Sequence, residues 1–272
     1  MKTHSASAWD LEVMPQQLKE HNSNINEESA IRLQSEVALE TSFHAIPYRA
    51  MGSESGSQCR LELINLHDKK QFNELHRQRV MCGWDSDPEI LNGWRNREVS
   101  KRLFWITYFD SDSQKYIQAG HISLDAFSKL LEPGVLEDDE VELSINSFFI
   151  LPEYRHLGLG KRAVHLVEQA ALTRPYGDPR CRFITLVALS KNYIYDEARE
   201  WRGIWERCGV SVPLFSIEEW YEKLGYVSWK METVYEATTV DGEVIKLWEA
   251  FMKKDMRSDC ITGSTQERLE GG

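Results

Sequence analysis

The chain has 272 residues, of which 42% are hydrophobic, and this is enough to bury a sizeable core. Its 32 basic and 43 acidic residues give a net charge of −11, which argues against a nucleic-acid surface or an anionic-membrane surface. The sequence has no apolar run of membrane-spanning length, and its first residues lack the apolar core of a signal peptide. The five cysteines are widely spaced and form no C-x-x-C pair, so we expect reduced thiols and no metal site. We therefore expect a soluble, cytoplasmic protein.

Composition divides the chain into three parts. Residues 1–57 are polar, end in a Gly/Ser-rich run and predict a largely flexible segment, with a short amphipathic helix over 27–40 as one option. Residues 58–253 have the apolar patterning of a folded domain. Residues 254–272 are polar again and predict a flexible tail.

The first half of the domain alternates strands and helices. A strand is predicted over 60–66, and Asp68 can cap a helix that ends near Cys82. A second helix is expected after Asp87. Two strands, over 103–109 and 116–124, then form a hairpin across a turn-rich connector.

The second half begins with a loop over 126–140 and continues with further strands and helices. Patterning and turn residues predict these elements: a strand over 141–150, a helix over 161–172, a strand over 182–189, a helix before Gly225, and a hairpin whose strands flank Asp241-Gly242. The sum is a mixed α/β domain around one twisted sheet.

The segment between the strand and the helix is the most informative part of the chain. It runs Leu151-Pro-Glu-Tyr-Arg155-His-Leu-Gly158-Leu-Gly160-Lys161. Glycine without a Cβ admits a ligand close to the backbone, and the helix start presents unpaired amide groups and partial positive charge. A phosphate or pyrophosphate would fit such a site. The alternative is that a tight turn needs these glycines for packing alone.

The pattern around this turn excludes two common nucleotide sites. It lacks the Gly-Lys-Ser/Thr ending of a P-loop and the third glycine of a dinucleotide fingerprint. Arg155-x-x-Gly158-x-Gly160 after a strand resembles the acyl-CoA signature of the GNAT acetyltransferase superfamily. The strand over 182–189 and the helix with Tyr221 four residues before Gly225 are similar to later parts of that family.

This resemblance implies a fold and a cofactor site. The fold would be a single GNAT-like domain, a mixed twisted sheet of about six or seven strands with flanking helices, splayed at strands 4 and 5. Acetyl-CoA would be the co-substrate and no metal would be needed. The implied acyl-CoA-binding residues are Phe148, Phe149, Ile150, Arg155, His156, Leu157, Gly158, Leu159, Gly160, Lys161 and Asn192.

Acetyl transfer to an amine needs an acceptor without its extra proton and a proton for the departing thiolate. Glu142 is our first candidate base, since a carboxylate beside the acyl-CoA site can accept the proton directly or through water; the alternative is a solvated strand residue. Ser144, with a relayed water, is the second candidate. Tyr221 is the candidate proton donor, with a purely packed tyrosine as the alternative.

The main departure from the family pattern is an insertion over about 190–215. Its Trp201, Ile204 and Trp205 have helical spacing and predict an extra helix that packs on the core. The alternative is that these aromatic faces wall the acceptor pocket. The insertion also separates Asn192 from Tyr221, which leaves the role of Asn192 open.

The expected function is N-acetyltransfer from acetyl-CoA to an amine by direct attack in a ternary complex, most simply to a small-molecule amine. No nucleic-acid or membrane partner is expected, and an oligomer stays open. One alternative is a catalytically silent acyl-CoA-binding module. Another is a protein-modifying acetyltransferase that docks its partner through the N-terminal segment and the acidic loop. The sequence does not specify the acceptor or the acyl chain.

Overall fold

The computed structural model describes residues 46–47, 59–126, 130–198, 201–209 and 211–257. Its elements are β1 (Ile46–Pro47), β2 (Cys59–Leu63), α1 (Lys69–Cys82), α2 (Pro88–Arg95), β3 (Lys101–Asp110), β4 (Lys115–Asp125), β5 (Val141–Ile150), a 3₁₀ helix (Pro152–Leu157), α3 (Leu159–Ala171), β6 (Cys181–Leu189), α4 (Asn192–Tyr195), α5 (Ile204–Arg207), α6 (Ile217–Glu222), β7 (Val227–Thr238) and β8 (Val244–Asp255). The helix considered over 27–40 and the tail beyond residue 257 lie outside the described residues.

All eight of these strands join one sheet in the order β1-β2-β3-β4-β5-β6-β8-β7. Strands β5 and β6 pair in parallel, whereas the other described neighbours pair antiparallel. The predicted mixed α/β sheet with flanking helices is confirmed. The sheet has eight strands where six or seven were predicted, and the additional strand is the two-residue β1. Strand β1 lies before residue 58, the predicted start of the domain.

Side-chain capping explains why the first two helices begin where the sequence predicts. The Asp68 carboxylate accepts hydrogen bonds from the amides of Lys70 and Gln71, at 2.8 and 3.0 Å. The Asp87 carboxylate accepts the amide of Glu89 at 2.8 Å, and Pro88 occupies the first helical turn. Each cap satisfies amides that have no partner within the helix.

The sheet separates two apolar layers. On one face, buried residues of α3 such as Ala163 and Val167 pack against Phe104 and Ile106 of β3. On the other face, Leu75 of α1 and the α2 residues Leu91 and Trp94 pack against Leu103 and Trp105 of the same strand. Successive strand residues point to opposite faces, so these contacts define an α3 face and an α1–α2 face.

The segment after β6 forms a third apolar cluster. Its buried members are Tyr193, Trp201, Ile204, Trp205, Cys208, Ala237 and Leu247. The cluster joins the insertion to the β7–β8 hairpin. Among the described residues, no helix is both long and apolar enough to cross a membrane.

Candidate active site

A split between the two parallel strands forms the centre of the candidate site. The pairing of β5 with β6 runs only from Val141 opposite Cys181 to Ser144 opposite Thr185. Beyond that point β5 continues to pair with β4, and β6 continues to pair with β8. We call the gap beyond Ser144 and Thr185 the split. One edge of each strand is therefore open to a ligand that can hydrogen-bond to backbone groups.

A bulge shapes the β5 edge of the split. His121 and Ser123 of β4 pair with Phe149 and Asn146, so β5 has one more residue than β4 between these two pairs. Ser147 takes a left-handed backbone conformation within it, at φ 48°. The extra residue turns the following backbone away from regular pairing and towards the split.

Polar side chains support this bulge from the α1–α2 face. The ammonium group of Lys101 donates to Asp125 Oδ2 at 2.8 Å and to the hydroxyl oxygens of Ser123 and Ser147, each at 3.2 Å. The Asn146 amide donates to the same Asp125 oxygen at 3.1 Å. Because Lys101 and Asp125 have side chains only 10% exposed, the pair is weakly screened and fixes the bulge in place.

His121 extends this polar layer next to the bulge. Its ring is fully buried, with Nδ1–H donating to Gln78 Oε1 at 2.8 Å and Nε2 accepting from Arg79 at 3.4 Å. Burial, with Arg79 and Lys101 nearby, holds the pKa of His121 well below its usual value. The imidazole is therefore neutral and already bonded at both nitrogens, which suits positioning of the neighbouring Phe149 ring rather than proton transfer.

The predicted phosphate turn follows directly from β5. The 3₁₀ helix ends at Gly158, which takes a left-handed conformation at φ 69°, and α3 then begins at Leu159. Nothing lies within 4 Å of the position that a Cβ of Gly158 would occupy. The helix therefore starts two residues earlier than predicted, and its first amides lie beside an open approach at Gly158. His156 and Lys161 are exposed there, Leu157 is half-buried, and Leu159 is buried in the core.

Gly160 has a different environment from Gly158. A Cβ at this position would lie 3.4 Å from the Phe148 ring and 3.5 Å from the Trp220 ring. Those two rings stack on each other, with centroids 6.1 Å apart. Gly160 thus lets α3 approach an aromatic pair that joins the bulged strand to α6.

Arg155 occupies the end of the split. Its Nε donates to the carbonyl of Ile150 at 2.9 Å, and its guanidinium lies over the Phe149 ring. Since the next amide, that of Leu151, donates to Ala119 of β4, the groups of Ile150 point the other way, towards the split. Arg155 therefore satisfies a carbonyl that a regular sheet would have paired with β6.

Tyr221 lies in α6 with its side chain 6% exposed. It packs edge-to-face against Trp220 and Tyr226, at centroid distances of 4.9 and 5.6 Å. Burial raises the pKa of its phenol above the usual value. The hydroxyl accordingly keeps its proton across the physiological range, as a proton donor requires.

The two candidate bases lie on the paired side of the split. The Glu142 carboxylate accepts the amides of Leu130 and Leu131, at 2.9 and 3.3 Å, and the Thr185 hydroxyl at 2.7 Å. The Ser144 hydroxyl donates to the Thr185 carbonyl at 3.1 Å and is fully buried. These contacts give Glu142 an evident structural role, which anchors the loop before β5.

The first part of the insertion contacts α6. Asn192 begins α4, where the preceding amide, that of Lys191, donates to Glu218 at 2.7 Å. The Tyr195 hydroxyl donates to Glu219 at 2.6 Å. Asn192 is thus brought next to the Tyr221 helix in spite of the intervening chain.

The predicted helix over Trp201, Ile204 and Trp205 is not continuous. Gly203 takes a left-handed conformation at φ 74°, so only Ile204–Arg207 is helical. Both indoles are nonetheless buried, and Trp205 Nε1 donates to the Tyr193 carbonyl at 2.8 Å. These contacts favour the packing role over the pocket-wall alternative.

Sequence reasoning missed Lys101, His121, Asp125 and Glu249. The first three are polar residues at alternating positions of otherwise apolar strands, which is a signal of a polar layer on one sheet face. Glu249 is a single carboxylate within the apolar run of β8, and only cross-strand register shows what lies beside it.

The chain matches a model of a known protein family over part of its length. The Acetyltransferase (GNAT) family model matches residues 70–193, from α1 to the start of the insertion. Over these residues the chain is similar to the GNAT acetyltransferase family. This match indicates an acyl-CoA-dependent N-acetyltransferase.

Solved GNAT structures are similar to this chain at low identity. Arabidopsis thaliana NAA60 in complex with acetyl-CoA is 12% identical, with a TM-score of 0.46, covering 74% of this chain and 99% of that chain. The loading GNATL domain of CurA from Lyngbya majuscula is 14% identical, with a TM-score of 0.46, covering 74% and 98%. Arabidopsis thaliana Naa50 in complex with a bisubstrate analogue is 14% identical, with a TM-score of 0.41, covering 72% and 98%. No curated protein matches the chain.

Proposed function

We propose that this GNAT protein transfers the acetyl group of acetyl-CoA to an amine by direct attack in a ternary complex. The observation that supports the proposal most is the split between β5 and β6. Their pairing ends at Ser144 and Thr185, and the β5 bulge and the start of α3 follow along the chain. A thioester arm can pair with the β5 edge at Phe148–Ile150, where Arg155 already holds the Ile150 carbonyl. The pyrophosphate then meets the first amides of α3 from Gly158 to Lys161.

The reaction chemistry needs an electrophile held in place and a proton for the leaving group. Backbone amides at the bulge would polarise the thioester carbonyl and stabilise the tetrahedral oxyanion. Tyr221, held protonated by burial, would donate to the departing thiolate. Asn192 at the start of α4 would contact the coenzyme from the α6 side.

The cysteines support direct attack over a covalent acyl-enzyme. Burial raises the pKa of Cys59 to about 11 and of Cys181 to about 12, and it also raises the pKa values of Cys82 and Cys208. A thiol with a raised pKa provides little thiolate at neutral pH. These four described cysteines are therefore poor nucleophiles.

Calorimetry with acetyl-CoA tests the coenzyme site. Lys161 is exposed in the first turn of α3, and its replacement in Lys161→Glu places a negative charge beside the pyrophosphate. We expect a loss of about 2 kcal/mol or more in acetyl-CoA affinity, as for a disrupted charge-assisted contact. This variant leaves the Phe148–Trp220 stack intact, whereas Gly160→Glu would also displace it.

The matched control is Lys115→Glu, which makes the same charge change at an exposed residue of the β3–β4 hairpin. Its affinity should equal that of the unaltered protein. Equal affinity in Lys161→Glu would remove the pyrophosphate from the α3 start. Acetyl-CoA binding without release of free thiol, across a panel of amines, would instead favour the catalytically silent module.

A further inference from the structure

Glu249 of β8 is a buried acidic side chain that the roles assigned above do not use. Its side chain is 4% exposed. Among the described residues, no hydrogen bond or ion pair involves its carboxyl group, although buried carboxylates normally have partners. The carboxyl group thus has hydrogen-bonding capacity that the described residues do not use.

Strand register places Glu249 on the α1–α2 face of the sheet. Residues that lie directly opposite each other on paired strands have side chains on the same face. One such row crosses five strands, from β3 through β4, β5 and β6 to β8, and consists of Lys101, Asp125, Ser144, Thr185 and Lys253. Lys101 shares the face of Leu103 in the α1–α2 layer, and Glu249 shares the face of Lys253, four residues along β8. The Glu249 side chain is thus on the α1–α2 face. The phosphate turn lies on the other face, with α3.

The same register puts Glu249 on β8, one strand beyond the split, at the level where β5 and β6 no longer pair. It is directly opposite Leu189, the last residue of β6. The parallel pairing of β6 with β5 has already ended four residues earlier, at Thr185. Glu249 therefore lies one strand away from the split, at the level of the β5 bulge.

Burial, and not a neighbouring charge, raises the pKa of Glu249. On β7 its cross-strand neighbour is Glu232, which is exposed and paired with Lys230 at 2.7 Å. From α4, Tyr193 has its hydroxyl bonded by the Trp248 amide at 2.9 Å, and the Glu249 charge adds to the burial that raises the pKa of that tyrosine. Burial itself raises the pKa of Glu249 to about 8.

We propose that Glu249 binds the ammonium group of the acceptor and takes its proton before attack on the thioester. The inference rests on the proposed function and specifies its acceptor as a cationic amine. A buried carboxylate without a protein partner gains most from a cation that replaces the water it has lost.

The proposed reaction converts an ammonium group and a thioester into an amide and a thiol. The ammonium nitrogen gives one proton to the Glu249 carboxylate, and its freed electron pair forms a bond to the thioester carbonyl carbon. The π pair of the carbonyl moves to its oxygen and re-forms the carbonyl in the next step. The carbon–sulfur bond then breaks, and the sulfur keeps the electron pair of that bond. Tyr221 gives its proton to the thiolate, and the second nitrogen proton, released as the amide forms, restores the Tyr221 hydroxyl. Glu249 returns its proton to solvent, and the products are an amide, free CoA and one proton.

Three other titratable groups on this face have protein partners. Glu142 is held by two loop amides and by Thr185, and Asp125 is held by Lys101. His121 is bonded at both ring nitrogens. Asp125 Oδ1 is buried without a hydrogen-bond partner among the described residues, but the charge of Asp125 is balanced by Lys101 at Oδ2. Glu249 differs in having no described partner at either carboxyl oxygen.

The test compares the unaltered protein with Glu249→Gln and with the matched control Glu232→Gln. Each protein is labelled with ¹³C at the glutamate carboxyl groups and saturated with CoA, and the Glu249 signal is identified by its loss in Glu249→Gln. Its midpoint is followed by NMR across pH, with and without 2-phenylethylamine or a short peptide with a free N terminus. We expect a midpoint near the raised value of about 8 that falls by one unit or more with at least one probe, in the unaltered and Glu232→Gln proteins.

A Glu249 midpoint in the ordinary carboxylate range, or one that neither probe moves, overturns the proposal. Kinetics with acetyl-CoA and the same probes provide a second measurement, in which Glu249→Gln should lower kcat/KM by about 100-fold or more. An unchanged kcat/KM in that variant also overturns it. Acetyl-CoA affinity by calorimetry should be equal in all three proteins, and a failure of coenzyme binding in the unaltered protein contradicts the proposed function instead.

Discussion

At the scale of single residues, Gly158 and Gly160 show how one motif serves two physical purposes. Gly158 needs the left-handed conformation and has open space at its missing Cβ. Gly160 has ordinary helical geometry, and its missing Cβ admits the Phe148–Trp220 stack. The predicted ligand approach thus applies most directly at Gly158, while the packing alternative describes Gly160.

Tyr221 gives the sharpest test of a single functional group. Tyr221→Phe keeps the ring packing against Trp220 and Tyr226 but removes the hydroxyl. If the phenol protonates the thiolate, kcat should fall by about 10²–10⁴-fold, with acetyl-CoA affinity unchanged. Because burial raises its pKa, Tyr221 should introduce no loss of rate as pH rises towards the usual tyrosine value of 10.0. Steady-state kinetics across pH measure both effects.

Tyr195→Phe is the control for this prediction. It removes an exposed hydroxyl that bonds to Glu219 on the same helix, and kcat should stay at the unaltered value. A silent Tyr221→Phe variant would assign the residue to packing alone.

At the scale of elements, the insertion after β6 contributes to stability through its aromatic cluster. Trp205 is 5% exposed and bonds to the Tyr193 carbonyl, so Trp205→Ala leaves a cavity and an unpaired carbonyl. We expect a loss of about 3–5 kcal/mol in unfolding free energy, as for other buried tryptophans. Urea denaturation measures this loss.

Arg202→Ala changes an exposed residue of the same insertion and should shift stability by no more than about 0.5 kcal/mol. The alternative, in which the tryptophans of the insertion line the acceptor pocket, predicts a different result. It requires Trp205→Ala to raise the amine KM at nearly unchanged stability and acetyl-CoA affinity.

The elements themselves follow from local sequence signals. Asp68 and Asp87 mark the starts of α1 and α2 because their carboxylates bond to amides within the next few residues. The insertion was less predictable. Its tryptophans have helical spacing, but the left-handed Gly203 divides the segment, and the burial of both indoles depends on contacts with the distant β7–β8 hairpin.

At the scale of the whole molecule, the raised pKa of Glu249 links global stability to pH. The folded protein keeps this proton up to a pH of about 8, whereas the unfolded chain loses it near the ordinary value of 4.5. Between these values the unfolded state binds fewer protons, so stability falls as pH rises. Relative to Glu249→Gln, the unaltered protein should lose about 1.4 kcal/mol per pH unit, up to about 5 kcal/mol.

Urea denaturation of both proteins at about pH 5 and about pH 8 measures this difference. Glu249→Gln should be the more stable protein at the higher pH, with the gap closing at the lower pH. Parallel stability profiles would mean that the carboxyl ionises as readily in the folded state as in the unfolded chain. Such a stability penalty at neutral pH fits a group retained for binding rather than for folding.

The sequence alone determined the strand–turn–helix unit and the mixed sheet, because strands, caps and glycine turns depend on residues close together in the chain. It also identified Arg155, Gly158 and Gly160 as a motif, and it named Tyr221. Tertiary structure decided what these residues contact. Arg155 bonds to Ile150 because the split leaves that carbonyl unpaired, and Glu142 is held by a loop that no local pattern connects to it. The place of Glu249 one strand from the split depends on register summed across five strands, and no spacing along a single strand encodes that register.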